Sequence, residues 1–177
     1  MEMSEMAEMK WNPAVFADLL TGNEGYMANF HDSELSGLAA QGLAIVTCMD
    51  SRINPLAVVG MQAGDAKILR NAGARVTEDV LRTLVLATYL LGVDRILIMP
   101  HTDCRMAQSE ESDIHATIAE KFGVDTRSLE FRTVSDQRQA LLTDLTRTRS
   151  YPLLRKGVSV GAAIYNVNSG ALEILDC

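Results

Sequence analysis

The sequence predicts an α/β domain with a mostly parallel central β-sheet, flanking helices, an antiparallel C-terminal edge strand and an N-terminal helical arm. Three observations support this prediction. Two continuous apolar runs, Leu43–Thr47 (LAIVT) and Arg95–Met99 (RILIM), are typical of strands that are covered on both faces. Apolar residues recur at helical spacing between them. Near the end of the chain, two apolar runs separated by Asn168-Ser169-Gly170 predict a hairpin.

The first predicted element is a helix that precedes every strand. Asn12-Pro13 is a typical helix start, and apolar residues continue at helical spacing to about Phe30. Because this segment precedes the sheet, we expect it to pack as an arm on the body or on a partner subunit. We therefore divide a single domain, residues 1–177, into an arm (1–40) and an α/β core (41–177).

The core elements follow in order after the first strand. Lys67–Arg70 predicts a shorter strand that ends at the turn-prone Asn71-Ala72-Gly73. Thr77 is a suitable cap for a helix to about Leu91. After the RILIM strand, two further helices and two hairpin strands complete the domain. These last predictions are Ser112–Phe122, Ser135–Ser150, Val158–Val167 and Ala171–Leu175.

Composition excludes several classes of partner. The net charge of −7 argues against nucleic acid or an acidic membrane surface, and 5% aromatic residues argue against a base-stacking surface. The sequence has no apolar stretch long enough to span a bilayer, and its acidic N-terminus lacks the pattern of a signal peptide. We expect a cytoplasmic protein, in which the three cysteines serve metal binding or catalysis more often than disulfides.

Two strand ends carry chemically unusual residues. Cys48 follows the LAIVT strand, and His101 and Cys104 follow the RILIM strand. Because ligands collect at the carboxyl ends of parallel strands, these three side chains could converge on one point. Two thiolates and one imidazole suit Zn²⁺ and leave a fourth coordination position open, as catalytic zinc requires.

Each residue also has a purely structural interpretation. A cysteine at a strand end is usually a small buried apolar residue, and an isolated H-x-x-C pattern is a weak signal. Asp50 and Arg52 could form a surface ion pair worth under about 1 kcal/mol. The occurrence of both segments at successive strand ends favours the metal site.

Three motifs in this order resemble the beta-class carbonic anhydrases, particularly their small prokaryotic forms. They are C-x-D-S-R from Cys48, R-N-A-G from Arg70 and H-T-D-C from His101. The resemblance covers residues 43–106 densely and the terminal strands loosely. It implies that Cys48, His101 and Cys104 bind zinc.

The resemblance also implies the reaction, which is reversible hydration of carbon dioxide to bicarbonate and a proton by a zinc-bound hydroxide. Asp50 and Arg52 then form the carboxylate–guanidinium pair of the family. Asp50 would accept the hydrogen bond of the hydroxide, and Arg52 would hold Asp50 in place. If that pair breaks, Asp50 can become the fourth metal ligand in a closed state.

Three more residues are candidates for substrate binding. Ile53 could line an apolar carbon dioxide pocket, although an ordinary core role fits it equally well. Gly73 allows the backbone to approach the pocket closely. Arg105 stands where the family usually has glycine after the second cysteine ligand, so its charge could hold bicarbonate.

The resemblance implies a homodimer or a dimer of dimers, with the arm reaching over the partner. Two other functions stay open at this point. Related linear molecules, CS₂ or COS, could be hydrolysed by the same zinc site. The chain could also be a non-catalytic zinc protein with a structural or regulatory role, an interpretation that Arg105 keeps open.

Overall fold

The computed structural model describes residues 12–175 and divides the chain into two compact units, Met1–Leu35 and Ser36–Cys177. In the first unit, a 3₁₀ turn at Pro13–Phe16 leads into helix α1 (Ala17–Ala28). Asn12 Oδ1 accepts a hydrogen bond from the Ala14 N–H, so the predicted helix start is correct. The arm was predicted to end at residue 40, whereas the boundary between the two compact units lies between residues 35 and 36.

The second unit is built on a five-stranded sheet with strand order β2-β1-β3-β4-β5. Strands β1 to β4 are parallel to one another, and β5 is antiparallel to β4. The strands are β1 (Leu43–Cys48), β2 (Ala66–Asn71), β3 (Arg95–Met99), β4 (Ser159–Tyr165) and β5 (Leu172–Ile174). This topology confirms the predicted fold class, including the antiparallel edge strand.

Four α-helices accompany the sheet among the described residues of this unit. They are α2 (Pro55–Val58), α3 (Glu78–Leu90), α4 (Glu111–Phe122) and α5 (Gln137–Arg149). The short α2 was not predicted, although Asn54 caps it and Pro55 occupies its first position. Helix α3 begins as predicted, because Thr77 Oγ1 accepts a hydrogen bond from the Val80 N–H.

Strand β1 is buried along its whole length, which explains its uninterrupted apolar sequence. Its side chains alternate between two apolar clusters. Ala44 and Val46 pack into the cluster that includes α3 and α5, whereas Leu43 and Ile45 pack with Cys48 and Cys104. The carboxyl end of β1 therefore enters an apolar environment that excludes much of the solvent.

Among the described helices, none combines the length and the apolar character that crossing a bilayer requires.

A buried ion pair connects the turn after β2 to helix α5. Arg75 donates from Nε to Asp144 Oδ2 at 2.7 Å, and the Val76 N–H donates to the same oxygen at 3.2 Å. Asp144 is buried, and the Arg75 guanidinium also donates to the Arg132 carbonyl. The pair thus fixes the segment that follows β2 against the body of the domain.

We expect Asp144→Asn to lower the free energy of unfolding by about 3 kcal/mol, because it leaves the partly buried Arg75 guanidinium without its counter-charge. Urea unfolding of the metal-loaded protein measures this change. Asp79→Asn is the control, since the Asp79–Arg82 pair is exposed and should contribute less than about 1 kcal/mol. Equal effects of the two substitutions would contradict the account.

Candidate metal centre

Cys48, His101 and Cys104 meet at the carboxyl edge of the sheet. Their ligand atoms lie within 4.8 Å of one another, and all three residues are buried. The two sulfur atoms are 4.0 Å apart. Thr47 Oγ1 donates to the Met99 carbonyl at 2.7 Å, and this hydrogen bond ties the ends of β1 and β3 together. The convergence expected from the strand order is therefore present in the structure.

The imidazole of His101 presents one nitrogen to the two sulfur atoms. Its Nδ1 lies 2.8 Å from the Thr102 carbonyl, which can only accept, so Nδ1 carries the proton. In the neutral ring Nε2 is then the acceptor nitrogen, and it is buried without a hydrogen-bond partner among residues 12–175. Gln137 Nε2 donates to the His101 carbonyl at 2.7 Å and restrains the backbone. A buried lone pair with no donor is what a metal ligand requires.

Electrostatics at the centre favours a thiolate. The hydrogen bond from Cys104 lowers the pKa of the Cys48 thiol far below its usual value, and the backbone N–H groups of Asp50 and Gly73 lower it further. The same contact, together with burial, raises the pKa of Cys104. Burial disfavours the charged form of His101, but the Cys48 sulfur, the Thr102 carbonyl and the Asp50 carboxylate together outweigh burial and raise the His101 pKa. Without a metal, the negative charge of the cluster therefore lies on the Cys48 sulfur.

Asp50 and Arg52 form a close pair beside this cluster. Arg52 donates from Nε to Asp50 Oδ1 at 3.0 Å and from Nη2 to Oδ2 at 2.8 Å. The Arg52 N–H also donates to Oδ1 at 2.9 Å. These hydrogen bonds hold the pKa of Asp50 well below its usual range. Asp50 Oδ2 lies 3.8 Å from His101 Nε2, so the carboxylate stands at the edge of the cluster.

A second carboxylate, Asp103, holds the other side of Arg52. Arg52 Nη1 donates to Asp103 Oδ2 at 2.8 Å, and Gln108 Nε2 donates to Asp103 Oδ1 at 2.6 Å. Asp103 adopts a left-handed backbone conformation, with φ of 57°. Sequence reasoning did not assign this contact. The available signal was an acid in the second strand-end segment, which a parallel sheet places opposite Arg52.

Of the three candidate substrate residues, two lie at the cluster. Ile53 is buried in the same apolar cluster as Cys48 and Cys104. Gly73 adopts a φ of 78°, and its N–H contributes to lowering the pKa of Cys48. Arg105 is exposed, and within residues 12–175 its side chain makes no hydrogen bond or ion pair. It begins a 3₁₀ turn, Arg105–Ala107, and is not among the residues with positive φ, so this position does not demand glycine.

We expect Gly73→Ala to impair both stability and activity. A Cβ at this position would lie 3.2 Å from Met106 Cβ, two residues beyond Cys104. Met106 would have to move away from this Cβ, and the movement would reach the neighbouring Cys104. We expect a roughly tenfold loss of activity, because small displacements of a reacting group are costly. Turnover and urea unfolding of the metal-loaded variant measure the two effects.

Gly157→Ala is the matched control for that substitution. Gly157 also has a positive φ, of 83°, but a Cβ there would meet nothing within 4 Å. It should cost only the backbone strain of about 1 kcal/mol and leave activity unchanged. If Gly73→Ala lowers stability and activity no more than Gly157→Ala does, then the contact with Met106 contributes to neither.

The family model described as "Carbonic anhydrase" matches residues 43–172. Beta-carbonic anhydrase 1 of Mycobacterium tuberculosis is 34% identical over 159 residues, which cover 88% of this chain and 94% of the relative. The carbon disulfide hydrolase of Saccharolobus solfataricus is 28% identical over 155 residues, covering 74% of this chain and 76% of the relative.

A solved structure shows the same fold. The carbonic anhydrase from Streptococcus mutans superposes with a TM-score of 0.86 at 30% identity, and the match covers 95% of this chain and all of the other chain (100%). The motifs quoted above fall inside the region matched by the family model.

Proposed function

The chain belongs to the beta-carbonic anhydrase family and is an enzyme for the reversible hydration of carbon dioxide, and we propose that Cys48, His101 and Cys104 bind the zinc that this reaction uses. One observation carries the assignment of the ligands. Two sulfur atoms and the imidazole Nε2, which has no hydrogen-bond partner among the described residues, converge within 4.8 Å in a buried position.

The residues fit the chemistry and the size of zinc. Thiolate and imidazole are its preferred protein ligands, and three protein ligands leave one position for reaction. Two sulfur atoms on one tetrahedral zinc are separated by about 3.8 Å, close to the 4.0 Å between Cys48 and Cys104. When bound, zinc supplies Lewis acidity, which allows water to lose a proton near neutral pH.

Asp50 and Arg52 orient the attacking water in this proposal. Both oxygens of Asp50 are held by Arg52, so the direction of the remaining lone pairs is fixed. A carboxylate in this position accepts a hydrogen bond from water and leaves the oxygen lone pair of that water directed at carbon dioxide. The same hydrogen bonds keep Asp50 from moving toward the sulfur atoms, so that the fourth metal position stays available for water and is not occupied by Asp50 as in the closed state.

The Saccharolobus relative makes hydrolysis of carbon disulfide the second candidate. The two functions separate when one zinc-loaded preparation is assayed by stopped flow with carbon dioxide and, in parallel, for sulfide release from CS₂ and COS. We expect hydration of carbon dioxide to dominate. Sulfide release with carbon dioxide hydration at the buffer rate would assign the second function.

The rate of hydration should increase between pH 7 and pH 8.5, because losing a proton from water becomes easier as pH rises. Asp50 does not cause this increase. Its pKa is lowered in the folded protein, so it is ionised above that value and its charge is constant across this interval. A rate that falls with pH in stopped-flow assays at constant ionic strength would contradict the assignment.

We also propose a homodimer or a dimer of dimers and a cytoplasmic location. In α1, Leu19, Tyr26 and Met27 are 61%, 60% and 67% exposed, which is unusual for large apolar side chains of an isolated chain. The proposed ligand set needs both cysteines reduced, which a reducing compartment maintains. Light scattering of the purified protein tests the assembly.

A further inference from the structure

Arg70, near the end of β2, reaches three main-chain carbonyls of the loop that follows β1. Its Nε donates to the Cys48 carbonyl at 2.9 Å, Nη2 to the Asp50 carbonyl at 2.6 Å and Nη1 to the Ile53 carbonyl at 3.3 Å. In the parallel register, Arg70 pairs with Thr47, so its side chain starts beside the last residues of β1. One guanidinium thus holds the strand end and the turn after it.

The three carbonyls mark functionally different parts of one short segment. Cys48 carries a proposed metal ligand, and Asp50 carries the proposed water-orienting carboxylate. Ile53 is a buried member of the apolar cluster that contains Cys48 and Cys104. The Ile53 N–H donates to the Asp50 carbonyl at 3.1 Å, so residues 50–53 form a closed turn. Arg70 binds both ends of that turn and the strand end before it.

We propose that Arg70 is a positioning residue that fixes Asp50 relative to Cys48 and His101; this inference rests on the proposed function. A guanidinium is a rigid planar fork of five N–H donors, and its geometry does not change as the donors engage separate acceptors. The Asp50 side chain is anchored by Arg52, but Arg52 belongs to the same turn. Arg52 ties the turn to Asp103, which follows β3. Arg70 ties it to β2, the strand on the other side of β1, through side-chain hydrogen bonds.

The main-chain ladder alone leaves the turn less restrained. The Met49 N–H donates to the Asn71 carbonyl at 2.9 Å, which extends the pairing of β1 and β2 by one residue. Beyond this point, the Arg70 guanidinium supplies the inter-strand hydrogen bonds to residues 50 and 53.

The test compares Arg70→Gln and Arg70→Lys with the wild-type enzyme. Glutamine lacks the charge and the reach. Lysine keeps the charge, but its single ammonium cannot match three separate carbonyls in one plane. We expect both variants to lose about 10- to 100-fold in kcat with little change in KM, because the orientation of Asp50 matters in the transition state.

Two further measurements do not depend on turnover. Zinc content should stay near one per chain, because the ligand side chains are held by β1 and by the segment after β3. Amide hydrogen exchange of residues 49–53 should become faster in both variants, while exchange in α3 and α5 stays the same. Arg95→Gln is the matched control, since Arg95 also donates to a main-chain carbonyl, that of Gln41, at the opposite end of the sheet.

The outcomes separate this inference from the proposed function. If wild-type protein with zinc hydrates carbon dioxide no faster than buffer, the proposed function fails. If wild-type protein is active and Arg70→Lys retains its kcat and its exchange rates, the three-carbonyl restraint is unnecessary and this inference fails. Should Arg70→Gln not fold, Arg70→Lys decides the matter alone, because it retains the charge and most of the side-chain volume.

Discussion

Cys104→Ser should remove the metal and abolish catalysis. A serine hydroxyl stays protonated and is a poor ligand for zinc, so the remaining Cys48 and His101 cannot hold the ion. We expect zinc to fall from about one per chain to a small fraction after dialysis. Hydration activity should fall by more than about 100-fold, beyond the loss that a supporting hydrogen bond usually causes. Metal analysis and stopped-flow hydration on one preparation measure both.

Cys177→Ser is the control for this substitution, since Cys177 lies outside the described residues and has no assigned role. Serine is close to cysteine in size, so circular dichroism of Cys104→Ser should match that of the wild-type protein. A folded Cys104→Ser variant that keeps a full equivalent of zinc would contradict the proposed ligand set.

Asp50→Asn should preserve zinc and lose catalysis. Asparagine has nearly the same shape, but it has no charge and only one acceptor oxygen, so it cannot receive the paired hydrogen bonds of Arg52. We expect about a 100- to 1,000-fold fall in kcat, as found when an oriented electrostatic contact is removed from an active site. Zinc content should remain near one per chain.

The chain contains a matched control for the Asp50 experiment. Arg127 donates from Nε to Asp125 Oδ1 at 3.0 Å and from Nη2 to Oδ2 at 2.7 Å, and its N–H donates to Oδ1 at 3.0 Å. This Asp-x-Arg pair repeats the geometry of Asp50 and Arg52 on an exposed surface. Asp125→Asn should leave activity unchanged. Comparable losses in the two variants would show that the effect is structural rather than local to the site.

Strands were predictable because their signal is local. Arg95–Met99 was predicted with the bounds that the structure has, and β1 extends the predicted Leu43–Thr47 by one residue. Burial on both faces demands an unbroken apolar run, and that demand is visible in sequence. Helix α2 was missed because four residues are too few to express helical periodicity.

The convergence of Cys48, His101 and Cys104 could be expected from strand order, because parallel neighbours place their carboxyl ends together. The contacts of Arg70 and Asp144 could not be predicted from the sequence. Each joins residues distant in sequence through a side chain whose direction depends on the packed structure, and an arginine in a strand has many possible acceptors. The conformation of Arg105 was equally hidden, because a 3₁₀ turn of three residues has no distinctive pattern.

The most direct test of the account is stopped-flow hydration of carbon dioxide by one protein preparation in three states. It is assayed with zinc bound, after removal of zinc by a chelator, and after zinc is restored. We expect a rate far above that of buffer, the loss of this rate when the metal is removed, and its return with about one zinc per chain. A buffer-level rate while one zinc is bound would contradict the account and would make this a zinc protein without hydration activity.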